Sequence, residues 1–140
     1  MLYKTIMVLF FWYNFKYNCK TVMTTILHDT TKRYYDTWNS HVIKNILCFF
    51  AEHLTLYFQP ENVTCDSIHS LKYMLHKTFY SFPETQRKLL RFHHSDDKKL
   101  VIAEVLVKTY SDQQYMSLEY IRFNDDGKIE NIRCKAVKAK

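Results

Sequence analysis

A single glycine stands in this 140-residue chain, Gly127, and it closes the stretch Asn124-Asp125-Asp126-Gly127. Glycine takes the positive φ of a tight turn without steric cost, so the chain has one strain-free place for such a turn. The segments on either side, Leu118 to Asn124 and Lys128 to Arg133, are rich in β-formers, and the whole reads as a hairpin. Glu119 falls inside its first arm. Strand parity puts Tyr115, Ser117, Glu119, Ile121 and Phe123 on one face and Met116, Leu118, Tyr120 and Arg122 on the other. If the Ile121/Phe123 face is the inner one, a carboxyl group is buried in an aromatic strand. A shifted register leaves it in solvent.

Further strands precede the hairpin. Gln86 to His94 is followed by Leu100 to Tyr110, in which Val101, Ala103, Val105 and Val107 share a face and Ile102, Glu104, Leu106 and Lys108 the other. The first half of the chain reads as helix. Leu27, Thr31, Tyr34 and Trp38, with Tyr35 beside them, form the stripe of a helix from Thr24 to Trp38, broken by Asn39-Ser40. Ser40 caps a second helix carrying Ile43, Ile46, Leu47, Phe50 and Leu54, and a short strand from Leu54 to Phe58 ends at Gln59-Pro60. Asp66 caps a third helix with Ile68, Leu71, Leu75, Phe79 and Phe82 on its stripe and Pro83 past its end. Helices followed by an antiparallel meander predict an α+β fold, three N-terminal helices packed on a mostly antiparallel sheet.

Composition narrows the classes of function. Apolar residues make up 47% and aromatics 16% of the chain, enough for one core. The net charge is +6, but the Lys and Arg residues are scattered apart from a small group at Arg87, Lys88 and Arg91 and a tail at Lys135, Lys138 and Lys140. Without a basic helix or Arg-rich run, nucleic acid is not the expected partner. Cys19, Cys48, Cys65 and Cys134 show no paired spacing and read as free thiols of a reducing cytosol, so a cytoplasmic protein is expected. No metalloprotease-type spacing occurs among the histidines. The apolar run Ile6 to Tyr13 is too short to span a bilayer, so a membrane is not an expected partner. Residues 1–22 are expected to be a dispensable extension before a domain spanning 23–140.

Lys32-Arg-Tyr-Tyr-Asp-Thr-Trp-Asn39, Ile46-Leu-Cys-Phe-Phe-Ala-Glu52, Phe82-Pro83-Glu84 and Ile121-Arg-Phe-Asn-Asp-Asp-Gly-Lys-Ile129 occur in that order. Together they resemble the nuclear-transport-factor-two-like superfamily, in particular its SnoaL-like polyketide cyclases and ketosteroid isomerases. The resemblance covers about residues 24–137 and implies a cone-shaped fold, its three helices closing over a curved sheet. On the ketosteroid isomerase pattern, the helix-one tyrosine falls on Tyr34 and the strand carboxylate on Glu119.

In that chemistry a carboxylic acid kept neutral by an apolar site, together with a tyrosine hydroxyl, donates hydrogen bonds to a developing enolate. The proton itself is moved by a further carboxylate. The segment that should hold this base reads Tyr57-Phe58-Gln59-Pro60, with glutamine where aspartate is expected and Glu61 as the nearest substitute. The resemblance therefore implies a small-molecule-binding domain that is either an isomerase or cyclase acting next to a carbonyl, or a non-catalytic binding or dimerisation module. Its ligand would be small and apolar, with Tyr34 and Glu119 as polar anchors. Trp38, Phe58, Gln59, Phe79, Phe82 and Phe123 would line the site. No metal or organic cofactor is implied, and a homodimer is.

Overall fold

The computed structural model describes residues 25–59, 62–95, 99–110 and 113–137. Residues 1–22 and Glu61 lie outside these. Helix α1 covers residues 25–40 of the described chain, α2 is Ile43–Leu47 and α3 is Ile68–Ser81. The strands are β1 (Phe50–Phe58), β2 (Val63–Cys65), β3 (Gln86–His94), β4 (Leu100–Tyr110), β5 (Gln113–Phe123) and β6 (Ile129–Val137). They form one six-stranded sheet in the order β2-β1-β6-β5-β4-β3. Every neighbouring pair is antiparallel except β1 with β6. The expected α+β architecture is the one observed.

Alternation decides the strand faces. Val101, Ala103, Val105 and Val107 of β4 are buried, as are Ser117, Glu119, Ile121 and Phe123 of β5. Against this inner face lies α1, whose Leu27, Thr31, Tyr34, Tyr35 and Trp38 are all buried while Lys32, Arg33 and Asp36 stay exposed. Thr31 is tolerated in the core because its hydroxyl donates to the Leu27 carbonyl one turn back, at 2.7 Å.

The helix ends differ from expectation. Helix α1 runs through Asn39-Ser40 and stops at His41, whose φ of 60° is the left-handed conformation usual at helix C-termini. A non-glycine residue is held there because the His41 ring stacks on Phe79, centroids 4.1 Å apart, and its Nε2 lies 2.8 Å from the Thr85 carbonyl. Helix α3 is capped by Ser67 rather than Asp66. The Ser67 hydroxyl accepts from the Ser70 N–H, and the Ser70 hydroxyl accepts from the Ser67 N–H, each at 3.1 Å.

The second helix is shorter than expected and its neighbouring strand longer. The spacing of Ile43, Ile46, Leu47, Phe50 and Leu54 suits a helix, yet the chain is extended from Phe50 onward. Pairing wins over local periodicity, because Phe50 lies opposite Ile129 and the Ile129 N–H donates to the Phe49 carbonyl at 2.8 Å. Between Phe50 and Thr55 the pairing with β6 shifts, the mark of a bulge, and Leu54 and Leu56 then face the core. The three-residue strand β2 was not expected at all.

Strand β3 closes one edge of the sheet. There the Asn39 side chain behaves as a piece of neighbouring backbone, its Nδ2 donating to the Arg87 carbonyl at 2.8 Å and its Oδ1 accepting from the Arg87 N–H at 2.7 Å. This fixes the end of α1 against β3 and sets the position of Arg87.

The β5–β6 hairpin turns as the sequence requires. Gly127 has φ of 75°, and the Asn124 side chain accepts from the N–H groups of Asp126 and Lys128. Nothing lies within 4 Å of where a Cβ would stand on Gly127. The cost of Gly127→Ala is then backbone strain alone, about 1 kcal/mol of stability in urea unfolding. Gly127→Asn should lose less, since asparagine tolerates this conformation better.

Candidate functional site

Glu119 is the centre of a polar cluster inside an otherwise apolar core, with 1% of its surface exposed. Its place on the sheet leaves room for it. Across β4 it faces Ala103 and across β6 it faces Cys134, both small. Four donors converge on the carboxylate. The Tyr35 hydroxyl donates to Oε1 at 2.6 Å. Arg87 Nη1 forms an ion pair with Oε2, which also accepts from Ser117 Oγ at 3.2 Å and Cys134 Sγ at 3.3 Å. The Arg87 side chain is itself only 11% exposed. Burial disfavours its charge, but the adjacent Glu119 carboxylate overrides this and holds the guanidinium above its ordinary pKa. On its other side the guanidinium lies 5.0 Å from the centre of the Trp38 ring, within cation–π range.

The tyrosine that meets Glu119 is therefore Tyr35, not the expected Tyr34. Tyr34 is buried one position away, in edge-on contact with the rings of Tyr35, Phe49 and Phe50. Both phenols are pushed up in pKa, first by burial and then by the Glu119 charge. The Cys134 thiol is raised for the same two reasons.

A cavity of about 570 Å³ opens between the helices and the inner face of the sheet. Its walls include Trp38 from α1, Phe58 from β1, Val63 and Cys65 from β2, Tyr73, Met74 and Lys77 from α3, and Val107 and Tyr115 from the sheet. Phe82, Thr85 and Arg87 also line it, with the hydroxyls of Thr64, Ser70, Thr78, Ser81 and Thr109. Three of the expected wall residues, Trp38, Phe58 and Phe82, line this space. Phe79 instead packs against Trp38, ring centres 5.0 Å apart, and Phe123 is fully buried in the core. Gln59 also stays off the wall, its amide donating to the Tyr57 hydroxyl at 3.3 Å. Neither Tyr34 nor Glu119 reaches the cavity, and Arg87 stands between it and the carboxylate. The same arginine borders a second groove of about 590 Å³ between α1 and β3, with Lys32, Tyr35 and Asn39.

Arg87 was grouped with Lys88 and Arg91 by charge, yet parity along β3 would have singled it out. It lies opposite Val107 and shares its face with Leu89, opposite Val105, so it points inward while Lys88 and Arg91 are exposed. Glu104, on the other face of β4, pairs with Arg91 and lies 3.6 Å from His93. His94 stacks on His28, centroids 4.2 Å apart, and among the described residues no group of His, Cys, Asp or Glu side chains is arranged to hold a metal ion. Cys48, Cys65 and Cys134 are free thiols. No described helix is long and apolar enough to cross a membrane.

The same helices and sheet recur in solved structures. SalBIII, an epoxide hydrolase/cyclase-like enzyme of pyran ring formation in the polyether salinomycin, superposes with a TM-score of 0.70 at 12% identity, over 79% of this chain and 90% of its own. A SnoaL-like protein of unknown function from Burkholderia thailandensis gives 0.70 at 12% identity, over 81% and 96%. For a candidate ketosteroid isomerase from Kribbella flavida the values are 0.69 and 13%, over 83% and 81%. The fold is that of the nuclear-transport-factor-two-like superfamily. By sequence, no family model and no curated protein matches the chain. The nuclear-transport-factor-two-like fold hosts unrelated functions, so the function of this chain is argued from its own side chains.

Glu119→Gln leaves Arg87 buried without its counter-charge and should cost about 3–5 kcal/mol in denaturant unfolding. Tyr35→Phe removes one hydrogen bond to a charged acceptor, about 1.5–3 kcal/mol, and should cost more than Tyr34→Phe. Because Tyr34, Tyr35 and Cys134 are raised in the folded state, the stability they lend is fully present below their ordinary values and is lost as pH climbs above them. Melting temperature should therefore begin to fall above about pH 8.5, where the thiol ionises in the unfolded chain, and fall more steeply above about pH 10, and Tyr35→Phe should blunt the steeper part.

Proposed function

We propose that this chain binds a small, largely apolar molecule in the cavity between the helices and the sheet, an oxygen of that molecule accepting a hydrogen bond from Arg87. The observation that carries this reading is the placement of Arg87. It is a charged donor on a wall where Trp38, Phe58, Val63, Met74, Phe82 and Val107 are interspersed with the hydroxyls of Thr64, Thr78, Thr85 and Thr109, and it is held by Glu119 from behind and Asn39 at its backbone. A guanidinium carries five N–H donors, and Glu119 takes one through Nη1. Since the Arg87–Glu119 pair is neutral overall, a carbonyl or hydroxyl oxygen suits the remaining donors better than a second carboxylate does.

Two features favour binding over the isomerase or cyclase reading. An enolate-stabilising acid must have a proton to donate, whereas Glu119 is placed as an acceptor for Tyr35, Arg87, Ser117 and Cys134. Among the described lining residues there is also no Asp, Glu or His to shuttle a proton from carbon to carbon. The domain is thus read as a binding module with a pre-formed cavity of ordinary ligand size.

The test uses a panel of apolar ketones and their matched hydrocarbons, read by thermal shift and calorimetric titration. Wild type should prefer the ketones by roughly tenfold or more, the worth of a hydrogen bond to a charged donor. Exchanging the ion pair for apolar residues in Arg87→Met/Glu119→Leu avoids stranding a charge and should remove that preference in a folded protein. Steady isomerisation of a β,γ-unsaturated ketone, lost in Glu119→Gln, would instead establish the catalytic reading.

A further inference from the structure

Resting on the cavity as a binding site, the distribution of charge around it points to a more specific ligand. We propose that the occupant is an amphiphilic anion whose charged end lies at the cavity mouth against Lys77.

Two cationic side chains border the cavity, and they are not equivalent. Arg87 at the inner end is neutralised by Glu119. Lys77 is exposed and takes no part in the ion pairs among the described residues. A lysine that lines a cavity while exposed lays its methylene stem along the wall and keeps its ammonium in water. An anionic group held there would remain partly hydrated, so it avoids the desolvation that penalises a charge at the inner end.

The surroundings of Lys77 reinforce the sign. From Ile68 to Ser81 helix α3 contains no Asp or Glu, while Lys72 shares its exposed side. Asp66, the carboxylate just before the helix, is turned toward Ser70 Oγ at 3.4 Å, roughly three helical turns before Lys77. Tyr73 lines the cavity yet is 68% exposed, so its ring continues the apolar wall out to the surface beside the lysine. The path into the cavity therefore runs from a positive, aromatic rim to an apolar interior ending in a neutral polar pair. An alkyl chain with a terminal carboxylate matches that gradient, whereas a fully apolar molecule leaves the rim unused. A cationic amphiphile meets repulsion there.

Decanoate, decanol and decylamine carry the same chain and differ at the end, so calorimetric titration of the full chain with each, below their aggregation thresholds, separates chain from charge. Wild type should bind decanoate about fivefold more tightly than decanol, the scale of a favourable exposed ion pair, and decylamine most weakly. The ratio of decanoate to decanol affinity should fall to near one in Lys77→Gln, survive in Lys77→Arg and invert in Lys77→Glu. Added salt should shrink it in wild type. Equal binding of decanoate and decanol by wild type, or a preference that persists in Lys77→Gln, would overturn the anionic-end proposal while leaving the cavity as a binding site. Binding of none of the three would overturn the anionic-end proposal, and would overturn the cavity as a binding site as well if the ketones also fail to bind.

Discussion

The ion pair between Glu119 and Arg87 is the constraint around which the domain is built. A carboxylate on the inner face of a central strand is expensive to bury, and it is accommodated only because donors arrive from three other elements: Tyr35 on α1, Arg87 on β3 and Cys134 on β6, with Ser117 beside it on β5. These positions span a hundred residues of sequence, so their meeting fixes how the helix seats on the sheet and how far the edge strand reaches. Apolar contacts alone would let α1 rotate or slide at small cost. A hydrogen bond at a single phenol tip gives its docking one register.

The same pair explains why kinship of fold is a poor guide to chemistry here. A donor pair for an enolate needs a neutral acid open to the substrate. In this chain the Glu119 carboxylate is a support, and the group it supports, Arg87, is what the cavity meets. With Arg87 as its neighbour, Glu119 accepts hydrogen bonds and holds a guanidinium in place.

Much of this was legible from the residues. Period-two alternation gave the inner faces of β4 and β5, and the helical stripe gave the buried side of α1, because both signals are averaged over many positions. Distinctions between adjacent residues were harder. Tyr34 and Tyr35 are both buried on α1, and only the distance to Glu119 separates them. Asp66 and Ser67 are both competent caps, and the reciprocal bond with Ser70 selects the second. Phe50 to Leu54 fits helix or strand by spacing, and its partner Ile129, nearly eighty residues away, decides. Arg87 was obscured by its own charge, which drew it into a group with exposed neighbours although its parity matched Leu89.

The amide of Asn39 on the backbone of Arg87 has a consequence for the molecule among its copies. A sheet that stops at β3 offers unpaired peptide groups to any passing extended segment, and such borders are where chains stack into fibrils. Here both groups of Arg87 are already engaged by a side chain that imitates a strand but cannot be extended by another. The residue that fixes the backbone of Arg87 thereby also blocks lateral growth of the sheet at that point, so one amide serves both the position of a buried arginine and the closure of an edge.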